Sequence, residues 1–209
     1  MKIICAGVRR SGSTWLFNTV KSILRSSGQE IYYNFISPTN DFKWEHDNEV
    51  IKMHHFDETI CRQAEFVLTT KRDWKDIAAS AVRRGSLTND HMLERNFRGD
   101  SVKEIEDFII EEIRNYKAWK PHSSLEISYP NIINDTIKTI ESIALTLMTH
   151  VDPKTIKDLV DNMKPPLTGV DPDTQLWHNH ITDGGCKTYQ NILSDNVICK
   201  INEIIYGFI

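Results

Sequence analysis

The sequence predicts an α/β domain in which a mainly parallel sheet is flanked by helices. Short apolar runs alternate along the chain with longer segments of helical periodicity, which is typical of strands and helices that alternate in a parallel sheet. The first apolar run leads at once into a glycine- and serine-rich turn and then into a helix-like segment. A length of 209 residues suits a single domain over residues 1–209.

Several segments have the composition of strands. The run Ile3–Ala6 is continuously apolar and ends at Gly7, which is typical of a strand that is buried on both faces. The predicted strands are 3–6, 31–36, 50–54, 66–70 and 125–129. We expect them to pair in parallel, because a helix-like segment separates most of them.

The helix-like segments repeat apolar residues at a spacing of three to four. In the segment 102–119, Ile105, Ile109 and Ile113 lie on one stripe. Asp152–Pro153 is a good N-cap and first-turn pair for a later helix. The predicted helices are 15–27, 73–84, 102–119, 136–148, 152–164 and 194–208.

Composition and charge exclude several classes of function. A net charge of -4 argues against a nucleic-acid-binding or membrane-surface protein, either of which needs a basic excess. The four cysteines are scattered without a CxxC pair, so we expect reduced and mostly buried thiols. The first apolar run is too short for a signal peptide, and no stretch approaches the ~20 apolar residues of a membrane span. We therefore expect a cytoplasmic protein.

The turn after the first strand has the features of a phosphate-binding loop. Gly7–Thr14 follows Walker A spacing in the strand–loop–helix context of P-loop proteins, except that Ser13 replaces the lysine. That lysine neutralises the transferring end of ATP, so its absence argues against a kinase or NTPase. The cations here are Arg9 and Arg10, just ahead of the turn. The alternative is an ordinary corner with two exposed arginines.

A second candidate anion site follows the fourth predicted strand. Arg72 lies at the carboxyl end of that strand, and Ser80 lies two turns into the next helix. A guanidinium fork and a hydroxyl donor suit a phosphate, and Asp76 could orient or cap nearby groups. The alternative is a charged helix start with Asp73 near the positive end of the helix dipole.

The third predicted strand carries a candidate base. Alternation places Lys52 and His54 on the same face and turns His55 to the opposite one. The carboxyl edge of a parallel sheet is where such sheets bind ligands, which favours a functional pair. The alternative is a structural histidine, since most histidines are not catalytic.

Together these segments resemble the sulfotransferase family that uses 3′-phosphoadenosine-5′-phosphosulfate (PAPS). The family motif Lys-Ser-Gly-Thr-Thr-Trp corresponds to Arg10–Trp15, and the apolar-Lys-x-His strand corresponds to Ile51–His54. The family's 3′-phosphate motif, Arg-x-x-Arg/Lys-Asp-x-x-x-Ser, is matched by Arg72, Lys75, Asp76 and Ser80. Tyr129 matches a tyrosine that follows a late strand in the family.

The sequence departs from the family pattern at two places. Arg10 replaces the lysine beside the transferring sulfuryl group. A late Arg-Lys-Gly motif, which helps to bind the 3′-phosphate, has no match. The segment Gly184–Leu193 resembles the Gly-x-Trp-Lys-Asn stretch that follows it, with Lys187, His178 and His180 as nearby basic residues.

The resemblance implies sulfuryl transfer from PAPS to an acceptor hydroxyl or amine, without a metal. It implies that His54 is the general base and that Lys52 and Arg10 stabilise the bridging oxygen. The cofactor-binding residues that it implies are Arg9, Arg10, Ser11, Gly12, Ser13, Thr14, Trp15, Arg72, Ser80, Tyr129 and Lys187. The acceptor would be a small molecule or a glycan, bound by the variable stretches 33–44, 85–101 and 165–180. A kinase-like phosphotransferase and a non-catalytic nucleotide-binding module are the alternatives.

Overall fold

A computed structural model describes residues 1–36, 42–83, 102–178 and 185–208. Within these ranges, five strands form one parallel sheet in the order β2-β3-β1-β4-β5. The strands are β1 (Lys2–Gly7), β2 (Tyr32–Ile36), β3 (Glu49–Met53), β4 (Phe66–Lys71) and β5 (Leu125–Ser128). The predicted fold class, a parallel α/β sheet with the P-loop type of architecture, is confirmed.

Helices cover both faces of the sheet. They are α1 (Ser13–Ser26), α2 (Glu58–Cys61), α3 (Trp74–Arg83), α4 (Val102–Trp119), α5 (Tyr129–Asn134), α6 (Thr136–Thr146), α7 (Pro153–Asp161) and α8 (Asp195–Phe208). Two 3₁₀ turns, Lys120–His122 and Thr188–Asn191, complete the described elements. No helix in the described ranges combines the length and the apolar character needed to cross a bilayer.

Alternation along β1 divides the core into two layers. Ile3 and Cys5 are fully buried on the face that packs against α1, α6 and α7. Ile4 and Ala6 are fully buried on the other face, in a cluster that includes Trp119 of α4. Each buried aliphatic side chain stabilises the fold by about 1.5–3 kcal/mol relative to exposure. This two-sided burial is why the strand has a continuous apolar run instead of an alternating one.

The sheet topology creates a crevice at the carboxyl end of β1. The helix after β1 packs on one face, whereas the helix after β4 joins α4 and α8 on the other. Ligands bind at such a switch point in open α/β sheets. Strands β1, β3 and β4 all end at this edge, so the three predicted motifs meet there.

Two short helices were not predicted, and each is set by a local cap. The side chain of Asp57 accepts a hydrogen bond from Ile60 N at 2.9 Å and begins α2. Ser128 caps α5, and Pro130 suits its first turn. The predicted strand 125–129 therefore ends at Ser128, and Tyr129 is the first helical residue.

Other elements agree with the sequence prediction to within a few residues at their ends. The expectation that the thiols are mostly buried holds for Cys5 and Cys61, whereas Cys186 and Cys199 are exposed. The predicted loop 85–101 lies outside the described residues, as do His180 and Gly184.

Candidate functional site

The loop after β1 has a backbone that its glycines make possible. Gly7, Arg10 and Gly12 have positive φ angles of 145°, 70° and 101°. A Cβ on Gly7 would lie 2.3 Å from Oγ1 of Thr70, so no larger residue fits beside β4. A Cβ on Gly12 would lie 2.8 Å from Cδ1 of Ile132 in α5. The loop is thus held tightly between β4 and α5.

Ser11 fixes the loop from within. Its hydroxyl lies 2.6 Å from the carbonyl of Val8 and 2.6 Å from Oγ1 of Thr70, and the residue is fully buried. Helix α1 begins directly afterwards at Ser13, and its N-cap, Gly12, has no side chain to bond the first N–H groups. These N–H groups and the positive end of the helix dipole form a ready site for an anion.

Lys52 faces this helix start from β3. It is buried, and its Nζ donates a hydrogen bond of 2.8 Å to Oγ1 of Thr14. Nζ also lies 5.3 Å from the ring centroid of Phe35 at the end of β2. A buried ammonium beside an oxygen of the first helical turn is well placed to neutralise negative charge at that point.

His54 lies one residue beyond β3 and bonds directly to the loop. Its Nδ1 is 2.8 Å from the carbonyl oxygen of Gly7. Since a carbonyl only accepts, Nδ1 carries the proton, and Nε2 of the neutral ring keeps its lone pair. Nε1 of Trp119 donates to the carbonyl of His54 at 3.1 Å, which fixes the backbone. Burial, and then the Lys52 cation, lower the pKa of His54 well below its usual value, so the ring is neutral at pH 7.

Arg72, which directly follows β4, contacts the loop after β1, the segment at Gly185 and the first residue of α5. Its Nη1 donates to the carbonyl of Arg10 at 3.3 Å, and its Nη2 donates to the carbonyl of Gly185 at 2.8 Å. Its guanidinium carbon lies 4.0 Å from the ring centroid of Tyr129. Its Nε is buried with no hydrogen-bond partner among the described residues. The predicted residues Arg72 and Tyr129 thus lie together against the loop, with a donor still unused.

Ser80 and Asp76 extend this cluster along α3. The Oγ of Ser80 accepts a hydrogen bond of 3.1 Å from Nε of Arg10. The buried Oδ2 of Asp76 accepts a hydrogen bond of 2.8 Å from the backbone N of Lys187, whereas the Lys187 side chain is exposed. Asp76 therefore orients the segment 185–193, called here the late segment, which is the role that its place in the motif suggested.

The Arg9 side chain contacts α4 instead of this cluster. Its backbone N and its Nε donate to the two carboxylate oxygens of Glu112 at 2.7 and 2.5 Å. Its Nη2 lies 3.1 Å from Oε1 of Glu111, and its guanidinium lies 5.0 Å from the ring of Phe108. The structure places the Arg9 side chain in an ion pair with α4, whereas the sequence predicted that it binds phosphate.

Sequence reasoning missed Glu112, although one signal was present. Glu112 falls on the apolar stripe of the predicted helix 102–119, four residues after Phe108, and it is only 1% exposed. A carboxylate at a core position of a helix requires a partner, and Arg9 provides it. Burial raises the pKa of Glu112, and the Arg9 guanidinium opposes that shift.

His55 turns away from His54, as the strand alternation predicted. Its Nδ1 lies 3.9 Å from Oε1 of Glu111, on the α4 side. Burial and the Arg9 cation lower its pKa, and Glu111 partly restores it. His54, which bonds to Gly7, is therefore the histidine that borders the loop.

Comparison with solved structures identifies this fold. Mouse sulfotransferase SULT7A1 complexed with PAP matches at a TM-score of 0.70 and 14% identity, over 99% of this chain and 83% of that one. Retinol dehydratase matches in complexes with androsterone and inactive cofactor PAP, and with retinol and PAP. Their TM-scores are 0.65 and 0.64, each at 13% identity over 98% of this chain and 79% and 80% of those chains.

Sequence comparison adds nothing to the structural match. No protein-family model matches the chain, and no curated protein matches it. At 13–14% identity the structural likeness shows the fold alone. The chain therefore has the PAPS-dependent sulfotransferase fold, with the crevice described above at the carboxyl end of β1.

Proposed function

We propose that the protein transfers a sulfuryl group from PAPS to an acceptor hydroxyl or amine. One observation carries the proposal: the half-buried His54 bonds to the first residue of the anion-binding loop, and the buried Lys52 bonds to the loop's last threonine. This arrangement brings a base and a cation to one helix start. A fold shared with PAP-bound sulfotransferases supports the proposal.

The donor would lie across the crevice with its two phosphate ends on different residues. The 5′-phosphosulfate would bind the N–H groups of Ser11–Trp15, assisted by the hydroxyls of Ser13 and Thr14. The 3′-phosphate would bind near Arg72 and Ser80. The buried Nε of Arg72 has no hydrogen-bond partner among the described residues, which supports this assignment, because such a nitrogen is costly until an acceptor arrives.

Transfer needs an acceptor in line with sulfur and a base for its proton. The acceptor oxygen forms a bond to sulfur as the bond between sulfur and the bridging oxygen of the donor breaks. The acceptor proton moves to Nε2 of His54, and the departing nucleotide leaves as PAP. Lys52 stabilises the negative charge that develops on the bridging oxygen.

Phe35 favours an acceptor with an apolar body. Its ring lies 6.0 Å from the His54 ring and 5.3 Å from Lys52 Nζ, so it borders both groups that would act on the acceptor. Retinol dehydratase, which shares this fold, binds androsterone and retinol in two of the similar structures. We propose a small-molecule acceptor, with a glycan as the alternative. A cytoplasmic location and a single domain over residues 1–209 belong to the same proposal.

A direct assay tests this function. The purified protein is incubated with PAPS and a panel of phenols, alcohols, amines and glycans in the presence of EDTA, and PAP release is measured. We expect PAP to form with at least one acceptor and to bind more tightly than ATP. Binding that requires magnesium and prefers ATP would indicate a kinase-like enzyme. PAP binding without turnover on any acceptor would indicate a non-catalytic nucleotide-binding module.

A further inference from the structure

Arg10 is tied to the residues assigned to the 3′-phosphate, although its place in the loop corresponds to a residue beside the transferring group. Its Nε donates to Ser80 Oγ at 3.1 Å. Its carbonyl accepts from Nη1 of Arg72 at 3.3 Å. Arg10 thus contacts both Ser80 and Arg72.

Arg10 and Lys52 lie at different ends of the loop. Arg10 has a φ of 70°, a left-handed conformation that a residue with a Cβ rarely adopts. Lys52 lies at the other end of the loop, where it bonds to Thr14 at 2.8 Å. The two cations of the predicted catalytic set are therefore divided between the two ends of the crevice.

The described part of the late segment brings main-chain groups to this end of the crevice. Gly185 presents a carbonyl oxygen to Arg72, and the N–H of Lys187 is bonded to Asp76. The Lys187 side chain is exposed. A phosphate monoester carries about −1.5 to −2 charges at pH 7, which one guanidinium does not balance.

We propose that Arg10 binds the 3′-phosphate of the donor, together with Arg72 and Ser80, and that Lys52 alone serves the bridging oxygen. This inference rests on the proposed function. Arg10 thereby makes the site selective for 3′-phosphorylated nucleotides and adds a second guanidinium to that of Arg72. Ser80 fits the same role, because it accepts from Arg10 and keeps its own O–H to donate to a phosphate oxygen.

Nucleotide selectivity tests the proposal. Calorimetry gives the Kd of PAP and of AMP, which lacks the 3′-phosphate, for the wild type and for Arg10→Ala. Since a charge-assisted hydrogen bond contributes ~1.5–3 kcal/mol, we expect PAP binding to weaken by roughly 10- to 100-fold. AMP binding should change by less than about threefold. Arg62→Ala is the control, because Arg62 forms only an exposed i,i+4 pair with Glu58.

A lysine variant and a coupled pair make the test independent of folding. Arg10→Lys keeps the charge but loses Nε and the fork, so selectivity for PAP over AMP should stay reduced. Arg10→Ala and Ser80→Ala should weaken PAP binding less than additively when combined, because they remove one shared contact. Thermal unfolding checks that each variant is folded.

Three results separate the inference from the proposed function. If Arg10→Ala leaves the ratio of the Kd values of PAP and AMP unchanged but greatly lowers turnover, the inference is overturned and Arg10 belongs at the bridging oxygen. Full recovery of turnover and selectivity in Arg10→Lys would overturn it as well. A wild type that binds PAP no better than AMP would contradict the 3′-phosphate site itself, and with it the proposed donor.

Discussion

The two sides of the loop after β1 carry neighbouring arginines in opposite environments. Arg9 pairs with carboxylates of α4, within 2.5 Å of Glu112 and 3.1 Å of Glu111. Arg72 instead donates to two carbonyl oxygens, and Nε of Arg10 donates to the hydroxyl of Ser80. A carboxylate neutralises the guanidinium that it contacts, whereas the carbonyl oxygens beside Arg72 leave its charge for an incoming anion. The α4 side is therefore the support of the loop, and the α3 side is its binding surface.

The largest effect is expected when the ion pair on the α4 side of the loop is removed. Glu112→Gln removes the charge that neutralises buried Arg9 and places an amide N–H against Arg9 donors. We expect the free energy of unfolding to fall by about 3 kcal/mol, the lower end for a broken buried pair, because Glu111 still contacts Arg9. Denaturant unfolding measures this. Glu106→Gln on the same helix removes only a 3.7 Å pair with Lys200 and should change stability little. An equal loss of stability in both variants would contradict the role of the α4 side as the support of the loop.

The next effect should appear in turnover and not in nucleotide binding. His54→Ala removes the proposed base, so kcat should fall by roughly 100-fold or more while the Kd of PAP stays near that of the wild type. His55→Ala is the matched control, because that side chain faces Glu111 on the support side. Comparable turnover in His54→Ala and the wild type would exclude His54 as the base.

A smaller effect is expected on the binding surface. Arg72→Ala removes the donors at the end of β4, and we expect PAP binding to weaken by roughly 10- to 50-fold with little change in stability. Lys71→Ala removes an exposed neighbour that pairs with Glu126 and should leave the Kd unchanged. Calorimetry with PAP measures both. Normal PAP affinity in Arg72→Ala would remove this arginine from the donor site.

The smallest effect concerns pH. A base works in its neutral form, and burial beside Lys52 lowers the pKa of His54 below the ordinary 6.5. On lowering the pH, kcat/KM should therefore stay constant through 6.5 and fall only well below it. A steady-state pH profile with a stable acceptor checks this. An acid limb centred at or above the ordinary histidine value would contradict the lowered pKa of His54.

Most of the fold was predictable because each strand is a short apolar run beside a periodic helix. Helices α2 and α5 were missed because each is short and depends on one cap, Asp57 or Ser128, instead of on a long apolar stripe. The meeting of the three motifs followed from strand direction alone, since parallel strands end at one edge. That these residues bind PAPS stays a prediction.

The different environments of Arg9 and Arg10 were beyond sequence reasoning. The two residues are adjacent and chemically identical, and the partner that separates them, Glu112, lies 103 positions away along the chain. Arg10 also has a positive φ, which an arginine in the sequence does not predict. Only the position of Glu112 on an apolar stripe indicated that α4 needed a cation.

The ring of Tyr129 has a consequence for how an anion would be received. The guanidinium carbon of Arg72 lies 4.0 Å from its centroid, while two carbonyl oxygens accept hydrogen bonds from the two ends of the fork. An arginine side chain loses about 2 kcal/mol of rotamer entropy when it is fixed. Here that loss occurs when the protein folds, so a phosphate meets an arginine that is already ordered.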